Sequence, residues 1–417
     1  MTVRMDSQIA VATSEALDKL GNWVERENWS GYDPYDLQAI PVHLWACRPE
    51  HHKLFPARAL RAAFSVMGTY CPEVARTVFF IQKAVNPKAL GLFVRAYLNL
   101  YELKGEERYA DLARHCLQRL EESVNESYGG WGWGYPFNWQ SRVFIPAGTP
   151  NAVVSYTVGD AFWRAYKCFG EKRYLDICIK VCDFFLTGLN RDLTPQHDQC
   201  FSYTPLDRMH VLNVSLFVSE LLIKVGNEVG DERFLTEGAR GVEYVLRNQN
   251  SDGSWYYFGP EDNLPGKIDH YHTGFVLRSL ADILSTSATE NGRSGLEGGF
   301  RYYWDSLFTA DHLPALSPGR LYPINIHAVA EGILSLSDLG LLEGIRSHYP
   351  VRARLESLVG WAITNMQDSD GYFYFAKTER RMIRIPFMRW GQAWMMVALT
   401  ESLRYMQQSK DGIGESL

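Results

Sequence analysis

Three short segments of this chain repeat one turn chemistry: Gly105-Glu-Glu-Arg-Tyr109, Gly170-Glu-Lys-Arg-Tyr174 and Gly230-Asp-Glu-Arg-Phe234, with starts 65 and 60 residues apart. Glycine reaches positive φ at little cost and suits the position just past a helix, while acidic residues favour the N-terminus of the next one. Each segment therefore predicts a tight helix-to-helix turn. The stretches after the turns are amphipathic: Tyr109, Leu112, Ala113, Cys116, Leu117 and Leu120 fall on one helical face, as do Tyr174, Ile177, Cys178, Val181 and Phe185. The stretches before them, such as residues 92–98 and 216–222, lack a broad polar face and suit helices packed on both sides.

Inner helices of this kind are expected to begin near Pro87, Asn151, Leu212, Tyr271, Asn325 and Met388. Six starts imply six hairpins. An amphipathic segment from Gln8 to Glu27 supplies the sixth outer helix and closes the ring, and further outer helices are expected over Leu296–Phe308 and Val351–Gln367. The prediction is an all-α, six-hairpin (α/α)6 barrel spanning residues 1–417 as one domain. An open solenoid would need polar capping repeats, and none stands out. Strands are few on sequence grounds, although the long loops have room for small hairpins.

The repeat also accounts for a length of 417 residues, more than one ordinary core sustains. A formal net charge of -6 argues against nucleic acid as a partner. No apolar run is long enough to predict a transmembrane segment, and Met1 to Leu20 carries Asp6, Glu15 and Asp18 where a signal peptide needs apolar residues, so a cytoplasmic location is expected. Seven scattered cysteines, several on apolar helix faces, read as reduced core thiols.

Long connections run from outer to inner helices, so all gather at one barrel end, over the N-termini of the inner helices. Such loops on a rigid scaffold usually carry function. They hold Trp131, Trp133, Tyr135 and Trp139, then Tyr203, then Tyr256, with Arg389 and Trp390 at the last inner helix. Aromatic side chains there either stack on sugar faces or plug the barrel end. Gln140 and Arg142 have the chemistry to bind hydroxyl and carboxylate groups, or tie down a long loop. In Gly31-Tyr-Asp-Pro-Tyr-Asp36 a turn role for Asp33 and Asp36 is favoured over an acid/base pair. Ile268-Asp-His-Tyr-His-Thr-Gly274 opens an inner helix with Asp269 as its expected N-cap. His270 and His272 cannot share a helical face, and His272 is the one assigned to the cleft. His327, similarly placed, is read as a packed histidine.

Residues 241–255, Gly-Val-Glu-Tyr-Val-Leu-Arg-Asn-Gln-Asn-Ser-Asp-Gly-Ser-Trp, resemble the glutamine–tryptophan repeat of terpenoid cyclases and protein prenyltransferases, and Trp361 to Tyr372 is a degenerate copy with Gln367 and Gly371. The resemblance implies an α/α toroid in which the glutamine ties a helix end. Asp269-His-Tyr-His-Thr273 is similar both to the zinc-histidine segment of prenyltransferase β subunits and to a segment of heparosan glucuronyl epimerases. With Asp198-Gln-Cys200, the former implies zinc held by Asp198, Cys200 and His272. Four stretches, residues 31–36, 133–140, 200–205 and 272–275, together resemble a family encoded in microbial exopolysaccharide loci, and imply a sugar-related role over nearly the whole chain.

The expected function is an enzyme of polysaccharide biosynthesis or modification acting on a glycan or lipid-linked saccharide by epimerisation, lysis or hydrolysis. With a uronic-acid glycan as substrate, Arg142 or Arg389 would pair the carboxylate while Tyr203 or His272 exchanged the proton beside it. Hydrolysis would call on two of Asp207, Asp269 and Asp33. The alternatives are an isoprenoid-handling enzyme, which would need the zinc, and a non-catalytic glycan-binding protein.

Overall fold

The structure, a computed structural model, describes residues 8–414 except Ala288. The charge at Asp6 invoked for the N-terminus lies outside the described residues. In chain order the helices are α1 (Gln8–Arg26), α2 (Pro41–Cys47), α3 (Phe55–Tyr70), α4 (Pro72–Val78), α5 (Pro87–Lys104), α6 (Glu107–Glu122), α7 (Ala152–Phe169) and α8 (Lys172–Thr187). They continue as α9 (Leu212–Val229), α10 (Glu232–Arg247), α11 (His270–Thr286), α12 (Glu290–Ser306), α13 (Ile326–Leu339), α14 (Glu343–Arg346), α15 (Val351–Met366) and α16 (Trp394–Gly414). A π-helical turn, Met388–Ala393, leads into α16.

Helices α5, α7, α9, α11, α13 and α16 form the inner ring, each packing on the next and α16 returning to α5. Outside them stand α6, α8, α10, α12, α15 and α1. The first and last helices of the chain make the sixth hairpin, since α1 packs on both α16 and α15. Burial follows the two helix types. On α9 nearly every side chain from Leu212 to Ile223 is buried, whereas α10 buries one stripe, Phe234, Gly238, Gly241, Val242 and Val245. The repeated glycines Gly105, Gly170 and Gly230 adopt φ of +68°, +71° and +71°, which ends α5, α7 and α9 in the left-handed cap predicted for them.

The glutamine–tryptophan resemblance has a physical basis here. Gln249, at the end of α10, donates from its amide to the carbonyls of Gly253 (2.9 Å) and Gly295 (2.8 Å), and so links its own loop to α12. The Trp255 indole donates to Val245 O (2.9 Å). Gln367 repeats the arrangement at the end of α15, donating to Gly371 O (2.9 Å) and to Ala16 O of α1 (2.8 Å), so it clips the seam where the chain's two ends meet. Trp133 plugs another hairpin in the same manner, its indole donating to Leu120 O (2.8 Å).

Two features differ from expectation, the early start of α12 and the helices between α1 and α5, while the small loop hairpins are of the kind the sequence left room for. Helix α12 begins at Glu290, six residues before the expected start, because Thr289 caps it and its first turns pack glycines rather than large apolar residues. Helices α2 to α4 form an excursion between α1 and α5 that the repeat does not foreshadow. The long loops contain short antiparallel pairs, such as Trp139–Gln140 with Phe144–Ile145 and Arg191–Leu193 with Gln199–Phe201. Among the described residues no helix is long and apolar enough to cross a membrane.

Because its two hydrogen bonds hold neighbouring outer helices together, Gln367→Ala is expected to lower unfolding free energy by about 1–2 kcal/mol in urea titration, and Gln249→Ala similarly. The exposed Gln196→Ala should leave the midpoint unchanged.

Candidate active site

At the end of the barrel where the inner helices begin lies a cavity of about 370 Å³. Its floor follows from helix register. Inner helices are capped at Asn86, Asn151, Val211, Asp269, Asn325 and Phe387, and in each the second residue after the cap lines the cavity: Lys88, Val153, Asn213, Tyr271, His327 and Arg389. Four of the caps, Asn86, Asn151, Asp269 and Asn325, accept a backbone N–H of the first turn on their side chains, which fixes where each helix starts. Loop residues Tyr35, Tyr135, Phe137, Trp139, Gln140, Tyr203 and Tyr257 form the walls.

His272 reaches this cavity from the first turn of α11. Its Nδ1 lies 2.8 Å from Asp269 Oδ2, while Asp269 Oδ1 accepts the His272 backbone N–H (3.0 Å). Burial acts to raise the Asp269 acid, but the charge and hydrogen bonds of His272, joined by Lys267 at 3.2 Å, outweigh it and hold the carboxyl below the usual range. An ionised carboxylate only accepts, so Nδ1 carries the hydrogen and Nε2 is the nitrogen available to take a proton. The ring is held between Tyr257 and Tyr271, each with its centroid 4.3 Å away. His270 turns the other way, fully buried against Tyr303 and Phe308.

His327 is packed, 1% exposed, against Trp390 (4.4 Å) and Tyr271 (4.9 Å), yet neither ring nitrogen has a hydrogen-bond partner and the side chain lines the cavity. Burial, with the Lys88 and Arg389 charges, pushes its pKa well down, so it is neutral. Asn213 Oδ1 is likewise buried without a partner.

The acidic residues considered for hydrolysis are already engaged. Asp33 receives Arg389 in a two-bond fork (Nε to Oδ2 2.5 Å, Nη2 to Oδ1 2.7 Å), and Asp36 pairs with Arg76. Asp207 accepts from the Thr204 hydroxyl (2.5 Å) and from the backbone N–H groups of Tyr203, Thr204 and Met209, so it organises its loop. Tyr203 shares a 3.1 Å hydrogen bond with Tyr135, and burial lifts its pKa far above the ordinary phenol value, which keeps the proton on oxygen.

Several sequence candidates lie elsewhere. Trp133 is a hairpin plug, Trp131 sits under the Lys180 ammonium (4.2 Å), and Tyr256 is 45% exposed; none of the three lines the cavity. Arg142 is turned to Asp262, with Nη1–Oδ1 at 3.3 Å and Nη2 donating to the backbone carbonyl at 3.1 Å, so it binds no carboxylate inside. Trp390 does line the cavity, its indole donating to Asn325 Oδ1 (2.9 Å). The zinc set does not assemble. Asp198 gives both oxygens to Arg247 (2.5 and 2.9 Å), and Cys200 is a buried thiol whose pKa burial drives far above the ordinary value, the opposite of a metal thiolate. Among the described residues no group of three or more His, Cys, Asp and Glu side chains is placed to hold a metal ion. Cavity-lining residues that sequence reasoning did not assign to the site include Lys88, Asn213, Tyr35, Tyr257 and Tyr271, and His327, whose ring nitrogens have no partner. The signal for the four on inner helices was present, as the second residue after each inner-helix start.

Removing one partner of the buried Asp33–Arg389 pair strands a charge in the core. Arg389→Met should therefore cost about 3–5 kcal/mol in equilibrium unfolding. Asp33→Leu combined with Arg389→Met should cost less than the sum of the single changes.

No family model matches the chain, and no curated protein matches it in sequence. Solved structures do match. A glycoside hydrolase family 76 mannosidase from Bacteroides thetaiotaomicron superposes with a TM-score of 0.61 at 11% identity, covering 97% of this chain and 100% of that one. Cellobiose 2-epimerase from Spirochaeta thermophila gives 0.61 at 12% identity over 78% of this chain and 87% of that one. A D-mannose isomerase gives 0.58 at 13% identity, covering 76% and 86%. At such identities the likeness is one of architecture: the chain has the α/α-barrel fold that these three carbohydrate-active enzymes share.

Proposed function

We propose that this chain is a carbohydrate-active enzyme that moves a proton at a sugar carbon next to a carbonyl, as an epimerase or isomerase. The observation that carries the reading is the His272–Asp269 dyad, in which His272 lines an aromatic-walled cavity and Nδ1 is held by the carboxylate. Glycoside hydrolysis requires two opposed carboxyl groups, one able to hold a proton and the other free to attack or activate water. Asp33, Asp207 and Asp269 are each committed to a cation or to backbone donors, which disfavours that route. A dyad of this kind suits abstraction of a carbon-bound proton: neutral Nε2 takes it, the electron pair passes to the carbonyl oxygen as an enediolate, and the proton returns to the same carbon or its neighbour. Because His327, the second imidazole in the cavity, is neutral and no proton donor, inversion would have the protonated His272 return the proton to the other face of the enediolate once the sugar has turned.

Tyr135, Trp139 and Tyr203 would stack on the sugar, with Gln140 at the cavity edge. The cellobiose 2-epimerase and mannose isomerase among the structural neighbours support this reaction class, and the sequence resemblance supports a substrate drawn from exopolysaccharide assembly, free or lipid-linked, met in the cytoplasm. The prenyl-transfer alternative loses its support with the dispersed zinc set.

Incubation of the protein in deuterated water with reducing mono- and disaccharides, neutral and acidic, should place one deuterium on the recovered sugar. His272→Asn is expected to slow this by about 10²–10⁴-fold while sugar binding persists. New reducing ends without deuterium would replace the reading by hydrolysis, an unsaturated product by lysis, and binding without change by a non-catalytic role.

A further inference from the structure

Among the described residues the fold buries three cations almost completely: Arg76, Lys88 and Arg389, at 1%, 4% and 2% exposure. Arg76 has Asp36 and Arg389 has Asp33. Lys88 has no carboxylate in contact and no hydrogen-bond partner for Nζ; its near neighbours are the rings of Trp394 (5.3 Å) and Phe275 (5.9 Å). Lys88 and Phe275 line both the candidate site and a second cavity of about 390 Å³ toward the opposite ends of the inner helices. In that second cavity the cations are matched: Arg95 with Glu401 (2.6 Å), Arg164 with Asp160 (2.7 Å), Arg278 with Glu331 (3.0 Å) and Arg404 with Glu401 (3.3 Å).

An unpaired buried ammonium is costly, and the fold relieves the cost by weakening its hold on the proton. Burial, reinforced by Arg389, brings the Lys88 pKa down to about 7 against the opposing pull of Asp33 and Glu331. The groups facing it are Arg389 on the last inner turn, Asp33 on the first loop, and Glu331 and His327 on α13. The other cationic side chains at the site, Arg389 and Lys267, are neutralised by Asp33 and Asp269.

Resting on the sugar-enzyme reading above, we infer that Lys88 is the carboxylate-binding residue of the cavity and that the preferred substrates are acidic sugars, with a uronate carboxylate seated on Nζ beside His327 and Asn213. The unpartnered nitrogens of His327 and the Asn213 carbonyl supply hydrogen bonds for the neighbouring hydroxyls. This takes from Arg142 and Arg389 the role that sequence pattern alone had given them. A bound carboxylate favours the charged ammonium, so binding above neutral pH must draw a proton from solution.

Calorimetric titration of the full chain with D-glucuronate and D-mannuronate, against glucose and mannose, in buffers of different ionisation enthalpy tests this. At pH about 8 each uronate should bind with uptake of about one proton, and the neutral sugars with little. Lys88→Met should weaken uronate binding by about 10–100-fold and abolish the uptake, while leaving glucose and mannose within a few-fold, which also verifies folding. Lys88→Arg, always charged, should retain much of the uronate affinity without taking up a proton. Equal uronate affinity and equal uptake in Lys88→Met, or no uronate binding by the wild type, would overturn the inference. Uptake that depends on Lys88 without deuterium exchange would instead sink only the proposed reaction, and deuterium exchange on neutral sugars with no uronate binding would sink only this assignment.

Discussion

Everything about this site depends on where six helices start. Each inner helix must satisfy its first free N–H groups, and at Asn86, Asn151, Asp269 and Asn325 a cap side chain does so locally. Once the start is fixed, helical geometry fixes the direction of the second residue, and closure of the ring turns six such directions onto one axis. Lys88, Val153, Asn213, Tyr271, His327 and Arg389 meet there although they are spread over some three hundred residues of chain. A cap at Asp269 does double service, because the carboxylate that stops the helix fraying also orients the His272 imidazole. Structure and chemistry thus share one side chain.

Ring closure sets a second demand. The chain's ends must be held together without a covalent link, and two of the contacts that do so stand on opposite sides of the ring. On the outside Gln367 clips α15 to α1. On the inside the Asp33–Arg389 fork joins the first loop to the last inner helix across 356 residues, where the guanidinium also lies 5.0 Å from the Tyr135 ring and 5.1 Å from that of Trp390. A residue that reads as a carboxylate-binding arginine in sequence is therefore spent on architecture. That leaves Lys88, among the described residues, as the buried cation without a counter-charge in contact.

The fold was legible in sequence to the extent that it is local. Glycine-terminated turns and the contrast between all-apolar and one-faced helices gave six inner starts that stand within a few residues of those observed, because both signals arise from single-helix geometry. The excursion of α2 to α4 was invisible since it belongs to no repeat, and α12 began early because glycine packing leaves no apolar stripe to read. Cavity-lining residues were legible where a local motif or an aromatic-rich loop marked them, as for His272, Tyr135, Trp139, Gln140 and Tyr203. Trp133, Arg142 and Asp198 misled because residue type says what a side chain can bind, not what the tertiary fold has already given it: here Leu120 O, Asp262 and Arg247. The unpartnered state of Lys88 and His327 is a property of the assembled cavity and has no sequence signature at all.

The central claim is that chemistry occurs at the inner-helix starts, under His272 Nε2, and a crystal structure with an open-chain sugar alcohol, which resembles the enediolate but cannot react, tests it most directly. The account predicts a C–H carbon of the ligand about 3–3.5 Å from His272 Nε2, its hydrogen directed at the nitrogen, with the chain of the ligand against Tyr135 and Trp139. A ligand seated instead in the charge-matched cavity at the opposite end, or a His272 ring with both nitrogens turned from the ligand, would contradict it.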